Sequence, residues 1–127
     1  TDEGLAAAIE GNKKLENLAL YDMMNITDKS VNTLKTTTAL RSLEMRMTGQ
    51  KDLTLQLASK LPRLKTIIIG YNANFTDKGL AFLGESKSIE KIEIKDTSGI
   101  TKDAISAFKT KYPKITVSVT STGGSGD

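Results

Sequence analysis

The sequence contains no cysteine, no histidine and no tryptophan, and only two of its 127 residues are proline. Without cysteine there can be no disulfide, thiolate metal ligand or cysteine nucleophile. Without histidine there can be no Ser-His-Asp triad. A glycine-rich phosphate-binding loop is also missing. We therefore expect a protein that is not an enzyme, with no catalytic residues, no bound metal and no cofactor.

Long hydrophobic runs and clusters of one charge are missing as well. No apolar run approaches the roughly 20 residues that cross a bilayer, so we expect no membrane insertion. The chain has 18 basic and 15 acidic residues, a net charge of +3 and a pI near 9.1. These charges are dispersed along the sequence and only six aromatic residues accompany them, so a nucleic-acid partner is not expected. Since a chain without cysteine suits oxidising and reducing surroundings alike, the compartment stays open.

Two phrases recur in fixed phase. Leu-x-x-Leu-x-Leu begins at four positions spaced 25, 24 and 25 residues apart: Leu15, Leu40, Leu64 and Ile89. Tyr112, Ile115 and Val117 form a degenerate fifth copy. Between these copies stands Thr-Asp-x-x or a variant of it, beginning at Thr1, Thr27, Lys51, Thr76 and Thr101. A repeat of 20 to 50 residues indicates stacked structural units.

Each phrase predicts a local structure. Alternation of apolar and polar residues predicts a short strand with one buried face. A Thr-Asp pair before apolar residues at helical spacing predicts a helix N-terminus. We expect units of one strand, one turn and one helix near residues 1–26, 27–50, 51–75, 76–100 and 101–119, followed by a flexible tail or linker at 120–127.

The segment from Leu64 to Phe75 resembles the pattern of leucine-rich repeats, Leu-x-x-Leu-x-Leu-x-x-(Asn/Cys/Thr)-x-(Leu/Ile). With the Thr-Asp phrase, it resembles the class of 24 to 26 residues that includes the cysteine-containing, F-box-associated repeats and similar bacterial repeats. The resemblance implies an α/β right-handed solenoid of about five units, with a parallel sheet on the concave face and helices on the convex face. It also implies a bacterial source.

The ninth position of the repeat departs from this family. It holds Met23, Thr48, Asn72 and Thr97, where family members often have Cys or Asn. We expect a weaker ladder of side-chain hydrogen bonds inside the turn. We expect Asn72 to bind backbone groups there, and one of Met23 and Met24 to fill the interior, the alternative being an exposed methionine ridge.

The outward positions of the strands form three columns, and the third contains Tyr21, Arg46, Gly70, Lys95 and Ser118. Tyrosine and arginine are frequent interface anchors, and Gly70 is expected to leave space for a ligand group. The candidate partner-binding residues are Tyr21, Arg46, Ile68, Lys91, Glu93 and Lys95. Alternatively, these are ordinary solvated positions with charge pairs such as Arg46 with Glu44, and Ile68 reflects strand propensity.

These observations predict a non-catalytic recognition module that binds a protein partner on the concave face. The alternative is a structural spacer or assembly segment of a larger multidomain protein, with end-to-end self-association. A third possibility is an acidic polymer, whose binding would weaken steeply with salt. The first unit begins at its helix cap without a capping module, which indicates a fragment of a longer protein.

Overall fold

The computed structural model describes residues 1–120, in which five strands alternate with five helical segments. The strands are β1 (Asn17–Thr27), β2 (Ser42–Gly49), β3 (Thr66–Gly70), β4 (Lys91–Lys95) and β5 (Thr116–Thr120). The helices are α1 (Asp2–Ile9), α2 (Val31–Leu34, preceded by the 3-10 turn Asp28–Ser30), α3 (Asp52–Ala58), α4 (Asp77–Gly84) and α5 (Lys102–Lys111). Apart from Thr120, the predicted tail at 120–127 lies outside the described residues.

All five strands belong to one sheet, in the order β1-β2-β3-β4-β5, and every neighbouring pair is parallel. Parallel neighbours need a crossover connection, which the helical segments supply. The predicted α/β class and the alternation of strand and helix are therefore confirmed.

The helices begin where the Thr-Asp phrase predicts. The hydroxyl oxygens of Thr1, Thr27, Thr76 and Thr101 each accept a hydrogen bond from a backbone N–H in the first helical turn. Such caps satisfy donors that have no partner within the helix. Lys51 stands at the same position before α3 and makes no side-chain cap.

The core lies between the sheet and the helices. In β4, for example, Ile92 and Ile94 are buried while the alternate residues are exposed or half-buried. Helix residues such as Leu55 and Leu80 join the same hydrophobic cluster. Phe75, in the connection between β3 and α4, is the largest of the fully buried side chains. The inward residues of the strands and the apolar residues of the helices thus form one continuous core.

The last strand differs from the prediction. The degenerate phrase places Ile115 and Val117 at the two inward strand positions, whereas the structure pairs Ile92 with Val117 and Ile94 with Val119. Thr120, rather than Ser118, therefore lies beside Lys95 in the third column. The ten-residue helix α5 extends to Lys111 and delays the strand, so the spacing of the repeat outweighs the local apolar phrase.

A ladder of aspartates joins successive units. The Asp52 carboxylate accepts hydrogen bonds from the backbone N–H of Thr76 at 2.8 Å and from the Thr76 hydroxyl. The same Asp-to-Thr pairing links Asp2 to Thr27 and Asp77 to Thr101. Where Lys51 replaces threonine, Asp28 accepts from the Lys51 N–H and from the hydroxyl of Thr54 instead. The aspartate that helps start one helix therefore also fixes the start of the next.

A second, buried network joins the turns of the inner units. The Asn72 amide donates to the carbonyl oxygens of Thr48 at 3.0 Å and of Gln50 at 2.8 Å. Its oxygen accepts from the Asn74 N–H, which confirms the predicted role of Asn72. Gln50 in turn accepts from the Thr48 hydroxyl and donates to the Ser30 hydroxyl. Gln50 thus supplies polar contacts in a unit that lacks the capping threonine.

Candidate functional site

The six candidate residues lie on one face of the sheet, which we call the open face because it points away from the helices. Tyr21, Arg46 and Lys95 occupy equivalent positions on their strands, with Gly70 between the last two. Ile68 and Glu93 are paired one position earlier on the same face. The predicted columns are therefore present in the first four strands, while the binding of a partner by these residues remains a prediction.

Tyr21, Glu44 and Arg46 form a compact cluster on this face. The Arg46 Nε contacts the Glu44 Oε2, and the guanidinium carbon lies 5.4 Å from the centre of the Tyr21 ring. The Tyr21 hydroxyl donates a hydrogen bond to Glu44, and this bond is the largest cause of a raised pKa of the phenol. Desolvation and the Glu44 charge raise this pKa further, against a lowering effect of Arg46. The arginine is thus held by an acid while its flat surface covers an exposed aromatic ring.

Beyond this cluster the open face carries mixed charge. Ile68 lies between Glu44 and Glu93 in the register and is half-buried, so it presents a small apolar area between two acids. Lys91 and Lys95 flank Glu93 along β4. Charges of opposite sign are thus neighbours along β2 and along β4, whereas the register of residues 1–120 pairs no acid on this face directly with a base on the next strand.

The space expected above Gly70 is closed. Gly70 is buried, and a β-carbon added there would lie 3.2 Å from the Lys95 β-carbon and 3.6 Å from the Arg46 γ-carbon. The stems of the two flanking side chains occupy the gap, so the prediction of room for a ligand group is wrong.

Four large exposed side chains lie on or beside the end of this face, and three of them, Met23, Met47 and Tyr71, are not among the candidate residues. We call Tyr21, Met23, Met47 and Tyr71 the Tyr/Met patch; they are 47%, 43%, 44% and 39% exposed. The prediction that Met23 or Met24 fills the interior is wrong, since Met24 is also exposed. The edge strand β1 continues to Thr27, which keeps both methionines in extended backbone at the surface. The Met23-Met24 doublet was the sequence signal for an exposed methionine ridge, which was the alternative interpretation.

Two residues of this patch hold a backbone conformation that favours glycine. Asp22, Met47, Tyr71 and Asp96 occupy the same repeat position, and all have positive φ, with 55° at Met47 and 53° at Tyr71. Aspartate tolerates this left-handed region, whereas methionine and tyrosine adopt it only at a cost. Strained residues of this kind cluster at functional sites. Met47 and Tyr71 are therefore displayed at this repeat position at some cost in folding free energy.

We expect Met47→Asn to raise the free energy of unfolding by about 0.5–1 kcal/mol, because asparagine tolerates positive φ. Met24→Asn is the matched control, since Met24 is 61% exposed and lies within β1 without positive φ. Urea denaturation followed by circular dichroism measures both. Equal shifts in the two variants would show that backbone strain at Met47 is not the cause.

Within residues 1–120, no group of three or more acidic side chains is placed to hold a metal ion. In the same part of the chain, no helix has both the length and the apolar character needed to cross a membrane. No protein-family model matches the sequence, and no curated protein is significantly similar to it.

Proposed function

We propose that the chain is a leucine-rich-repeat solenoid that recognises a protein partner on its concave sheet face. The equal spacing of strands and helix caps, the parallel order of all five strands and the two hydrogen-bonded ladders support this architecture. In this proposal the open face is the concave one and the helices form the convex side. The bacterial source implied by the resemblance stays a prediction.

The observation that carries the proposed function is the junction of the Tyr/Met patch with the Tyr21–Arg46 pair. Aromatic residues, methionine and arginine are the types enriched at the centres of protein interfaces. Here Tyr21 and Met23 lie on β1, Arg46 and Met47 lie on the neighbouring strand β2, and Tyr71 directly follows β3. Such a surface forms before the partner arrives, so little ordering entropy is lost on binding.

The charged residues of the open face have a different task. Lys91, Glu93 and Lys95 alternate in sign along β4, while Arg46 is paired with Glu44 on β2. Exposed charges of both signs contribute little net affinity, yet they select a partner with the complementary order of charges. In this proposal the Tyr/Met patch supplies affinity, and the charged columns fix the position and orientation of the partner.

The test is binding of a partner captured from source lysate on the immobilised chain and then measured with purified components. We expect the double variant Arg46→Glu, Lys95→Glu to weaken this binding at least about tenfold. Lys29→Glu, Lys78→Glu is the matched control, because it makes the same change of charge at exposed residues outside the open face. Circular dichroism verifies that both variants remain folded.

Equal affinity of the parent and the open-face variant for every captured protein would overturn the concave-face proposal. A chain that retains nothing, but associates with itself in proportion to concentration, would favour the structural spacer instead. Charging Leu18, which is half-buried on the edge strand β1, would then abolish the association. Sedimentation of the parent and Leu18→Lys at several concentrations distinguishes these results.

A further inference from the structure

Basic residues that are dispersed along the sequence are gathered at one edge of the fold. Because the strands are parallel, all five helix-to-strand connections lie at the edge where the strands begin. We call residues 10–17, 35–42, 59–66, 85–91 and 109–116 the basic edge. It contains four acidic residues, Glu10, Glu16, Glu85 and Glu90, and twelve basic ones: Lys13, Lys14, Lys35, Arg41, Lys60, Arg63, Lys65, Lys87, Lys91, Lys109, Lys111 and Lys114.

The opposite edge carries the opposite charge. Residues 1–4, 21–30, 47–54, 71–79 and 96–104 contain eight acidic and four basic side chains. Acids in the first turns of α1, α3, α4 and α5 suit the positive ends of the helix dipoles, which explains much of this edge. Dipoles do not explain the basic edge as well, because α5 alone among the five helices has basic residues in its last turn. Five helix C-termini contribute about −0.5 charge each, against a side-chain excess of eight positive charges.

The basic side chains also line clefts between successive units. One cleft is lined by Lys60 and Lys87, and the adjoining one shares Lys87 and adds Lys111 and Lys114. A third cleft, between α2 and α3, is lined by Lys35 and Lys60. Each cleft thus brings ammonium groups from two neighbouring units to one depression. A row of such depressions suits a ligand with anionic groups at regular intervals.

We propose that the basic edge binds the phosphate backbone of double-stranded nucleic acid without reading its bases. Ten of the twelve basic residues are lysine, which contacts phosphate as a point charge rather than through the two-pronged geometry of arginine. This binding differs from the proposed recognition of a protein, because it uses the edge where the strands begin. Of the six candidate residues on the open face, Lys91 alone also belongs to the basic edge.

The composition of the edge favours a duplex over other anionic partners. Within residues 1–120, Leu53 is the one exposed large hydrophobic side chain that lines any of the three clefts, so the basic edge offers little apolar anchor for a bilayer. Its aromatic residue, Tyr112, is half-buried and packs on Phe108 at 4.9 Å between ring centres. A surface for single-stranded nucleic acid would instead display several aromatic rings for base stacking.

The test compares two triple variants of equal charge. Lys60→Gln, Arg63→Gln, Lys87→Gln neutralises exposed residues of the basic edge, and Lys29→Gln, Lys51→Gln, Lys78→Gln neutralises exposed residues of the opposite edge. Fluorescence anisotropy with two unrelated duplexes measures affinity between about 50 and 200 mM salt. We expect the parent to bind both duplexes equally. We expect the basic-edge variant to lose about tenfold in affinity and about two to three units of salt slope, with the opposite-edge variant unchanged.

Several results would overturn the proposal. These are absence of duplex binding at the lowest salt, equal losses in both triple variants, or a strong preference between the two duplexes. Tighter binding to a single strand of the same length, to heparin or to vesicles rich in phosphatidylserine would assign the edge to a different polyanion. Because none of the substituted residues belongs to the open face, failure here would leave the proposed protein recognition intact.

Discussion

Phe75→Ala is expected to lower the free energy of unfolding by about 3–5 kcal/mol, because it empties a fully buried aromatic site. Phe75 has no exposed surface and belongs to the continuous hydrophobic core. Its position in the repeat is held by Ile26 in the first unit and by Ile100 in the fourth, both buried. The aromatic ring therefore fills a site that other units fill with a smaller side chain, and alanine leaves a correspondingly larger cavity.

The surroundings of Phe75 cannot easily collapse into that cavity. The Phe75 N–H bonds to the Asn72 carbonyl, and its own carbonyl lies beside Gly99 of the next unit, where an added β-carbon would be only 2.3 Å from that oxygen. The backbone is thus held on two sides. Urea denaturation followed by circular dichroism measures the loss, with Leu53→Ala as control, because Leu53 is 51% exposed and should change stability by less than about 0.5 kcal/mol. A loss below about 1.5 kcal/mol for Phe75→Ala would mean that the site repacks.

Much of this fold could be predicted from the sequence because the repeat imposes the same local structure several times. The spacing from Leu40 to Leu64 and from Leu64 to Ile89 predicts the observed pairing of β2, β3 and β4 residue by residue. A one-residue slip would move every apolar side chain to the wrong face, so the alternation allows a single register. The helix starts follow from capping chemistry, which is local and therefore legible in one sequence.

The candidate site could be predicted only in part. The columns of the open face follow from register, whereas the exposure of Met47 and Tyr71 depends on a positive φ that no sequence pattern announces at a methionine or a tyrosine. The closure of the gap at Gly70 depends on where the stems of Arg46 and Lys95 lean. These are tertiary properties of a few side chains, and a period of two residues says nothing about them.

The charge distribution illustrates a different limit. Counts along the chain show each unit with charges of both signs, although bases predominate at one edge of the fold and acids at the other. Only the parallel order of the strands shows that the five helix-to-strand connections, three of which are net basic, lie at the same edge. In a repeat protein, the residues of one surface come from equivalent positions in successive repeats rather than from one continuous segment. The net charge of each sequence segment is therefore small, even though the stacked units form a basic edge and an acidic edge.

Asp52→Ala is expected to lower the free energy of unfolding by about 2–3 kcal/mol, since charge-assisted hydrogen bonds are worth about 1.5–3 kcal/mol and Asp52 makes two. The substitution would leave the Thr76 N–H, at the start of α4, without its acceptor. It would also remove a carboxylate from the first turn of α3, a helix that has no side-chain cap. Asp103→Ala is the matched control, because Asp103 is an exposed first-turn acid of α5, and its loss should cost only about 0.3–1 kcal/mol through the helix dipole.

A double-mutant cycle separates the link between units from the effect on α3 alone. Thr76→Val removes the hydroxyl donor but keeps the backbone N–H, so the two single variants share one broken contact. If Asp52 stabilises chiefly by joining the two units, the double variant should be more stable than additivity predicts by about 1 kcal/mol or more. Strict additivity would mean that the hydroxyl contact contributes nothing, so that the effect of Asp52 comes from its bond to the Thr76 N–H and from its own helix. Since Gly79 provides the space in which the Asp52 carboxylate lies, Gly79→Ala should reproduce much of the loss without removing either partner.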